Sequence, residues 1–160
     1  MAWSASAIFR EWPVMQFQDS ATGYTGLDSD TVKAALFGGN TPDKDAAVGL
    51  TGYNAATSQW VTANEKTGGT DWVAGGRTLS SKTFTTPSSG VFMFDAADLT
   101  SAATATMTGV EGLLVYDDSI TAGTVADQGV CYNWFGGSQS VTSGTFSVIF
   151  DSNGLLRVTV

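Results

Sequence analysis

Three acidic pairs are the side chains whose spacing could do chemistry. Asp28 and Asp30 flank Ser29, Asp43 and Asp45 flank Lys44, and Asp117 and Asp118 adjoin at the end of the apolar run Gly112–Tyr116. Paired carboxylates can ligate Ca²⁺ or divide the acid and base work of glycoside hydrolysis. A calcium loop of the EF-hand kind needs a longer D-x-D-x-D-G run with a terminal Glu, which none of the three has. A sugar-cleaving cleft needs a long aromatic-lined groove, and the tryptophans here are scattered along the chain. The pairs fit turns instead, where Asp accepts local backbone N–H bonds and tolerates unusual backbone angles. An adventitious Ca²⁺ is the remaining reading.

The other routes to catalysis close on residue type. There is no histidine, which removes the commonest general base and the commonest transition-metal ligand together. Without it no Ser-His-Asp set can form, and no spacing places a serine against Lys33, Lys44, Lys66 or Lys82. The single cysteine, Cys131, lacks an activator and reads as a small core residue in a strand. It also excludes an intrachain disulfide and fits folding in a reducing cytoplasm. The Gly-rich stretch Gly68–Arg77 is a loop beside Trp72. It lacks the Lys-Ser/Thr ending and following helix of a phosphate cradle. No catalytic residue, metal or cofactor is expected.

Charge narrows the partners. The net charge is −8 and no Lys or Arg occurs between Lys82 and Arg157, so a nucleic acid or an anionic membrane would be repelled. No apolar stretch approaches the roughly 18 residues that span a bilayer. The N-terminus has neither the basic nor the apolar region of a secretion signal. Charged residues make up 14% of the chain, well below the usual share of about a quarter. Ser, Thr and Gly fill the surface instead, as in short strands joined by tight turns, or in a surface largely covered by other proteins.

The elements that must position any site are strands. In the C-terminal third, Gly112–Tyr116, Gln128–Phe135, Thr145–Phe150 and Leu155–Val160 are apolar and rich in β-branched or aromatic residues. Period-two alternation puts Val130/Tyr132/Trp134, Phe146/Val148/Phe150 and Leu156/Val158/Val160 each on one face. Upstream, Thr31–Phe37 reads as a strand and Gly38–Asp45 as a turn. Arg77–Thr86 and Gly90–Asp95 read as two strands joined by Pro87-Ser88-Ser89, and Thr104–Val110 as an edge-proximal strand. Gln59–Asn64 fits a helical turn and a short strand equally. Strands recurring at about ten-residue spacing predict a mainly β fold. The expectation is one domain over 1–160, an antiparallel β-sandwich or flattened barrel of about eight strands with a short N-terminal helix or arm over 1–18.

That N-terminal segment is dense in Trp3, Ile8, Phe9, Trp12, Val14, Met15 and Phe17. Ser4 or Ser6 could cap a helix with Ile8, Phe9 and Trp12 on one face, ending at Pro13. Such a helix packs on the domain core. The alternative is an arm that docks on a neighbouring subunit through Trp3, Ile8, Phe9 and Trp12, since aromatic anchors are enriched at interfaces.

Taken together, TVKAALF (Thr31–Phe37), NTPDKD (Asn40–Asp45), WVTANE (Trp60–Glu65) and AGGRTL (Ala74–Leu79) stand in a distinctive order. GLLVYDD (Gly112–Asp118), ADQGVCYNWFGG (Ala126–Gly137) and VTSGTFSVIFDSNGLLRVTV (Val141–Val160) follow them. Over nearly the whole chain this resembles a family of small β-rich virion proteins of tailed bacteriophages, particularly those of actinobacteria. Members are head decoration, minor capsid or minor tail proteins. The motifs are structural phrases, so no functional residue carries over. The resemblance implies a capsid decoration protein, assembled in the host cytoplasm and resident in the virion. Its partners would be the major capsid protein and copies of itself, as a homotrimer or another symmetric cluster. The alternatives are a minor tail or fibre protein, and a carbohydrate-binding β-sandwich using exposed Trp60, Trp72 or Trp134.

Overall fold

The computed structural model describes residues 3–10, 12, 25–122 and 125–159. Ten strands occur among them: β1 (Ala7–Ile8), β2 (Val32–Phe37), β3 (Arg77–Thr78), β4 (Thr83–Ser88), β5 (Val91–Asp95), β6 (Leu99–Thr100), β7 (Ala105–Asp117), β8 (Gln128–Gly144), β9 (Ser147–Val148) and β10 (Leu156–Thr159). All pairings are antiparallel. A five-stranded sheet runs β1-β8-β7-β2-β3, a three-stranded sheet β10-β5-β4 and a two-stranded sheet β6-β9. Phe94, Leu155 and Leu156, with Leu99, Phe146 and Val148, join Val32, Leu113 and Val130 in one buried cluster. The sheets do not close, so the fold is sandwich-like rather than a barrel.

The central strands are apolar on both faces. Residues 113–116 of β7 and 128–132 of β8 are buried without alternation, because sheet neighbours lie on both sides and other elements cover both faces. The two strands also run further than their apolar runs. Thr104–Val110 and Gly112–Tyr116 merge into β7, and β8 continues through GGSQSVTSG to Gly144, with register shifts along the pair. Bulges let a long ladder bend while keeping its backbone paired. Arg77–Thr86 divides into β3 and β4, and of Thr145–Phe150 only Ser147–Val148 is strand. Ser88 pairs with Val91, so the hairpin turns on Ser89-Gly90, with Gly90 at φ 72°. Gln59–Asn64 is a turn, closed by Asn64 N–H to Val61 O at 2.9 Å.

The N-terminal segment is extended through residues 3–9, where a helix could have formed, and turns at Arg10 into a helical conformation at Trp12, whose N–H donates to Phe9 O at 3.1 Å. Ala7 and Ile8 pair with Tyr132 and Cys131, and Phe9 N–H donates to Val130 O at 3.1 Å. Two glycines in the central strands explain the preference. A Cβ on Gly112 would lie 2.2 Å from the Trp3 ring, and one on Gly129 would lie 2.5 Å from the Phe9 ring. The missing side chains leave sockets that these aromatics fill, and only an extended chain reaches both. Trp3, Phe9, Phe37, Trp60 and Tyr132 then form an aromatic cluster with ring centroids 5.1–5.9 Å apart, mostly edge to face. Pro13, Val14, Met15 and Phe17, and Val160, which was expected to share a face with Leu156 and Val158, lie outside the described residues.

Candidate interaction surface

The three-stranded sheet carries the surface with the least internal use. Phe84 pairs with Phe94, Phe94 with Leu156 and Phe92 with Val158. Cross-strand partners share a face, and so do Phe92 and Phe94 along β5. One face therefore holds Phe84, Phe92, Phe94, Leu156 and Val158. Its inner end is core, since Phe94 and Leu156 are buried. Its outer end is not: Phe84 is 50% and Phe92 40% exposed, with their rings 6.4 Å apart and stacked. Every residue of β4 is exposed, and its sequence TFTTPS carries no charge. Arg157 and Asp95 neighbour this face in sequence but alternate onto the other one. The result is an uncharged aromatic face on a chain of net charge −8. Leu50, Val73 and Ile149 are also exposed, as single side chains on other elements, which is ordinary for a protein surface. Pro87 and a register shift within β4 discourage strand addition at its open edge, so the face rather than the edge is what the hairpin offers.

The expected contact residues lie elsewhere. Trp3, Phe9 and Trp12 are buried in the protomer's own core and Ile8 is half-buried in β1. Trp3 Nε1 donates to Asn40 Oδ1 at 2.8 Å, and Ser6 Oγ accepts from Trp134 N at 2.7 Å, so the segment is fastened along its length. Trp60 and Trp72 are also buried, at 2% and 1% exposure, and Trp134 is half-buried. This corrects the expectation of an exposed Trp60 or Trp72. Neither Phe84 nor Phe92 stood out in the sequence. The signal available was the i, i+2 pair Phe92/Phe94 opposite a lone Phe84 in a threonine strand.

The acidic pairs divide. Asp43 Oδ1 accepts from Asp45 N at 2.9 Å and Asp45 pairs with Lys44, both in the exposed turn that was expected. Asp118 pairs with Lys33 at 2.8 Å. Asp30 and Asp117 are instead buried, at 4% and 0% exposure. Among the described residues, no three His, Cys, Asp or Glu side chains converge as a metal site would require.

Glu65 is a further buried acid. It accepts Tyr53 OH at 2.7 Å and Gly75 N at 3.0 Å, while Tyr116 OH donates to Gly75 O at 2.7 Å. Tyr53 and Tyr116 stack with centroids 4.8 Å apart. Burial raises the Glu65 carboxyl above its usual range, against the hydrogen bonds from Tyr53 and Gly75. This network pins the Gly-rich loop onto the sheet and offers a substrate no free group. Burial also pushes the Cys131 thiol up to about 12, which makes it inert. An open depression of about 380 Å³ lies between the turn after Trp60 and β7, lined by Glu65, Lys66, Thr67, Thr106, Met107 and Thr108. It brings the Lys66 ammonium beside threonine hydroxyls and the Glu65 carboxyl, which Tyr53 and Gly75 already occupy. No helix among the described residues is long and apolar enough to cross a membrane.

The chain matches no protein-family profile, no curated protein and no solved structure.

Proposed function

We propose that this protein is a structural component of a tailed-phage virion, a decoration protein that binds the outside of the head and steadies adjacent capsomers. The observation that carries a docking role is the uncharged aromatic face of the β4–β5 hairpin, with Phe84 and Phe92 stacked and open to solvent. Aromatic side chains are enriched where protein surfaces meet, and charged ones are depleted there. The sequence resemblance supplies the partner class, namely the major capsid protein and further copies of this chain in a trimer or another symmetric cluster. Clustering suits the task, because several weak contacts held together give a stable occupancy that one protomer's small face cannot. The acidic balance favours an outer surface over one facing packaged DNA.

Co-sedimentation of the purified protein with undecorated heads of the encoding phage tests this reading. Wild type is expected to bind saturably, and the Phe84→Ser/Phe92→Ser double variant to bind at least tenfold more weakly with an unchanged melting temperature. Wild-type protein that stays in the supernatant would refute the head assignment. Labelling confined to the tail would place the chain among minor tail proteins instead.

A further inference from the structure

At one end of the five-stranded sheet, neighbouring strands put Val32, Asp117 and Gln128 in a row. Val32 pairs with Asp117, and Asp117 with Gln128, so the three side chains project from one face. Asp117 and Gln128 are both fully buried. Asp30, in the turn before β2, lies two residues ahead of Val32, and its carboxyl is close enough to that of Asp117 for a proton to bridge them. The two acids are held differently. Asp30 accepts Thr25 N at 2.9 Å, Gly26 N at 3.2 Å and the Thr25 hydroxyl, which makes it an ionised acceptor. Asp117 Oδ1 accepts Ser119 N at 3.0 Å, but its Oδ2 meets no donor.

Among the described residues no cation compensates that oxygen. Lys33 of β2 is paired with Asp118, and Lys82, just before β4, donates to the Asp30 backbone carbonyl at 2.5 Å. The other ionisable groups of the β7–β8 turn, Asp118 and Asp127, are negative, and β8 contributes the neutral Gln128, neither of whose side-chain atoms is paired. A carboxylate buried without a counter-charge is costly, whereas a carboxylic acid there becomes a donor. With its proton on Oδ2, Asp117 donates to Asp30 and both carboxyls are satisfied.

We propose that Asp30 and Asp117 share one proton and form a pH-sensitive latch, which ties the Thr25–Thr31 turn and the β7–β8 turn to the sheet while the proton is present and loosens them when it leaves. Burial pushes the Asp117 carboxyl up to about 7, opposed by the Ser119 amide and aided by the charges of Asp30 and Asp118. For Asp30 burial acts upward too, but the Thr25 hydroxyl and the Thr25 and Gly26 amides outweigh it and hold the group below its usual range. The folded-state value of Asp117 is raised. Its stabilisation is therefore complete below the unfolded-state value of 3.8 and is lost as pH rises through about 7. The latch is closed in mild acid and open in mild alkali. The unused amide N–H of Gln128 is the donor that an ionised Asp117 can recruit by rearranging.

The test compares wild type with Asp117→Asn, whose amide N–H replaces the acid O–H at every pH. Equilibrium unfolding is followed between pH 5 and pH 8, alongside the Asp117 Cγ chemical shift in the wild type. The wild-type unfolding constant should rise on the order of a hundred-fold across that range, since each unit of pKa displacement is worth tenfold. Glu65 and Asp127, also raised by burial, act alike in both proteins, so the ratio of the two unfolding constants should change by that factor, and the Asp117 resonance should titrate near neutrality. Parallel pH profiles for the two proteins would overturn the proposal. So would an Asp117 resonance that titrates in the ordinary carboxylate range, a result that stands even if the variant does not fold.

Discussion

Replacing Trp3 by Ala separates a docking arm from a built-in strand. Trp3 is 4% exposed, sits over Gly112, meets Trp60 and Tyr132 edge to face at 5.7 and 5.8 Å, and donates to Asn40 at 2.8 Å. Truncating a buried Trp costs about 3–5 kcal/mol, because the cavity adds to the lost transfer energy. The socket cannot collapse to fill it, since Gly112 is already without a side chain. Asn40 loses a hydrogen-bond donor as well, and its Nδ2 has no partner even in the wild type, which adds about 1 kcal/mol or more. A total near 4–6 kcal/mol is a large part of the ~5–15 kcal/mol that holds a domain together. At ~2–4 °C per kcal/mol for a chain of this size, the melting temperature should fall by about 8–24 °C. Trp3→Phe, which keeps a ring but loses the N–H, should lose roughly a third as much. Scanning calorimetry of the three proteins gives the answer directly. A Trp3→Ala protein that melts with the wild type would refute the socket argument and return these residues to an arm free to meet a neighbour.

Gly129→Ala should destabilise by about 1–3 kcal/mol, because the new Cβ meets the Phe9 ring and the Thr51 carbonyl oxygen at 2.5 Å each; urea unfolding with an unchanged slope and a lowered midpoint is the expected record. Leu156→Asp should unfold the protein or cost at least about 3 kcal/mol, since it sets an unpaired carboxylate beside Phe94 in the buried row. An unchanged far-ultraviolet melting curve would show that this end of the sheet tolerates charge.

The strands most legible in the sequence are those whose side chains define them. Thr31–Phe37, Gly112–Tyr116 and Gly90–Asp95 coincide with β2, the inner half of β7 and β5 to within two residues or so at each end. The outer half of β8 was not legible, because GGSQSVTSG has no apolar period and is strand only through its pairing with residues 105–110. The N-terminal segment misled for a different reason. Ile8, Phe9 and Trp12 satisfy one helical face, yet only Trp12 is helical, because Gly112 and Gly129 reward an extended chain up to Phe9, and sockets on distant strands leave no mark near residue 9. Asp117 looked like the turn residue Asp118 is. What separates the two is the strand register, which turns Asp117 toward Asp30 and Gln128 and leaves Asp118 to Lys33. The face bearing Phe84 and Phe92 was hidden likewise, because the same sheet buries Phe94 one step inward.

The pairing of β1 with β8 also sets an order of events during synthesis. Trp3 and Phe9 emerge early, but their sockets lie at Gly112 and Gly129, and the ladder that holds Ile8 runs through Cys131. Until those strands leave the ribosome the early aromatics have nowhere to go. Closing so long a loop is slow, and exposed apolar segments are captured by chaperones or by each other meanwhile. Residues made early are thus placed late. The strand that completes the sheet does so only after residues 131 and 132 exist, and folding should depend on chaperone supply more than final stability would indicate.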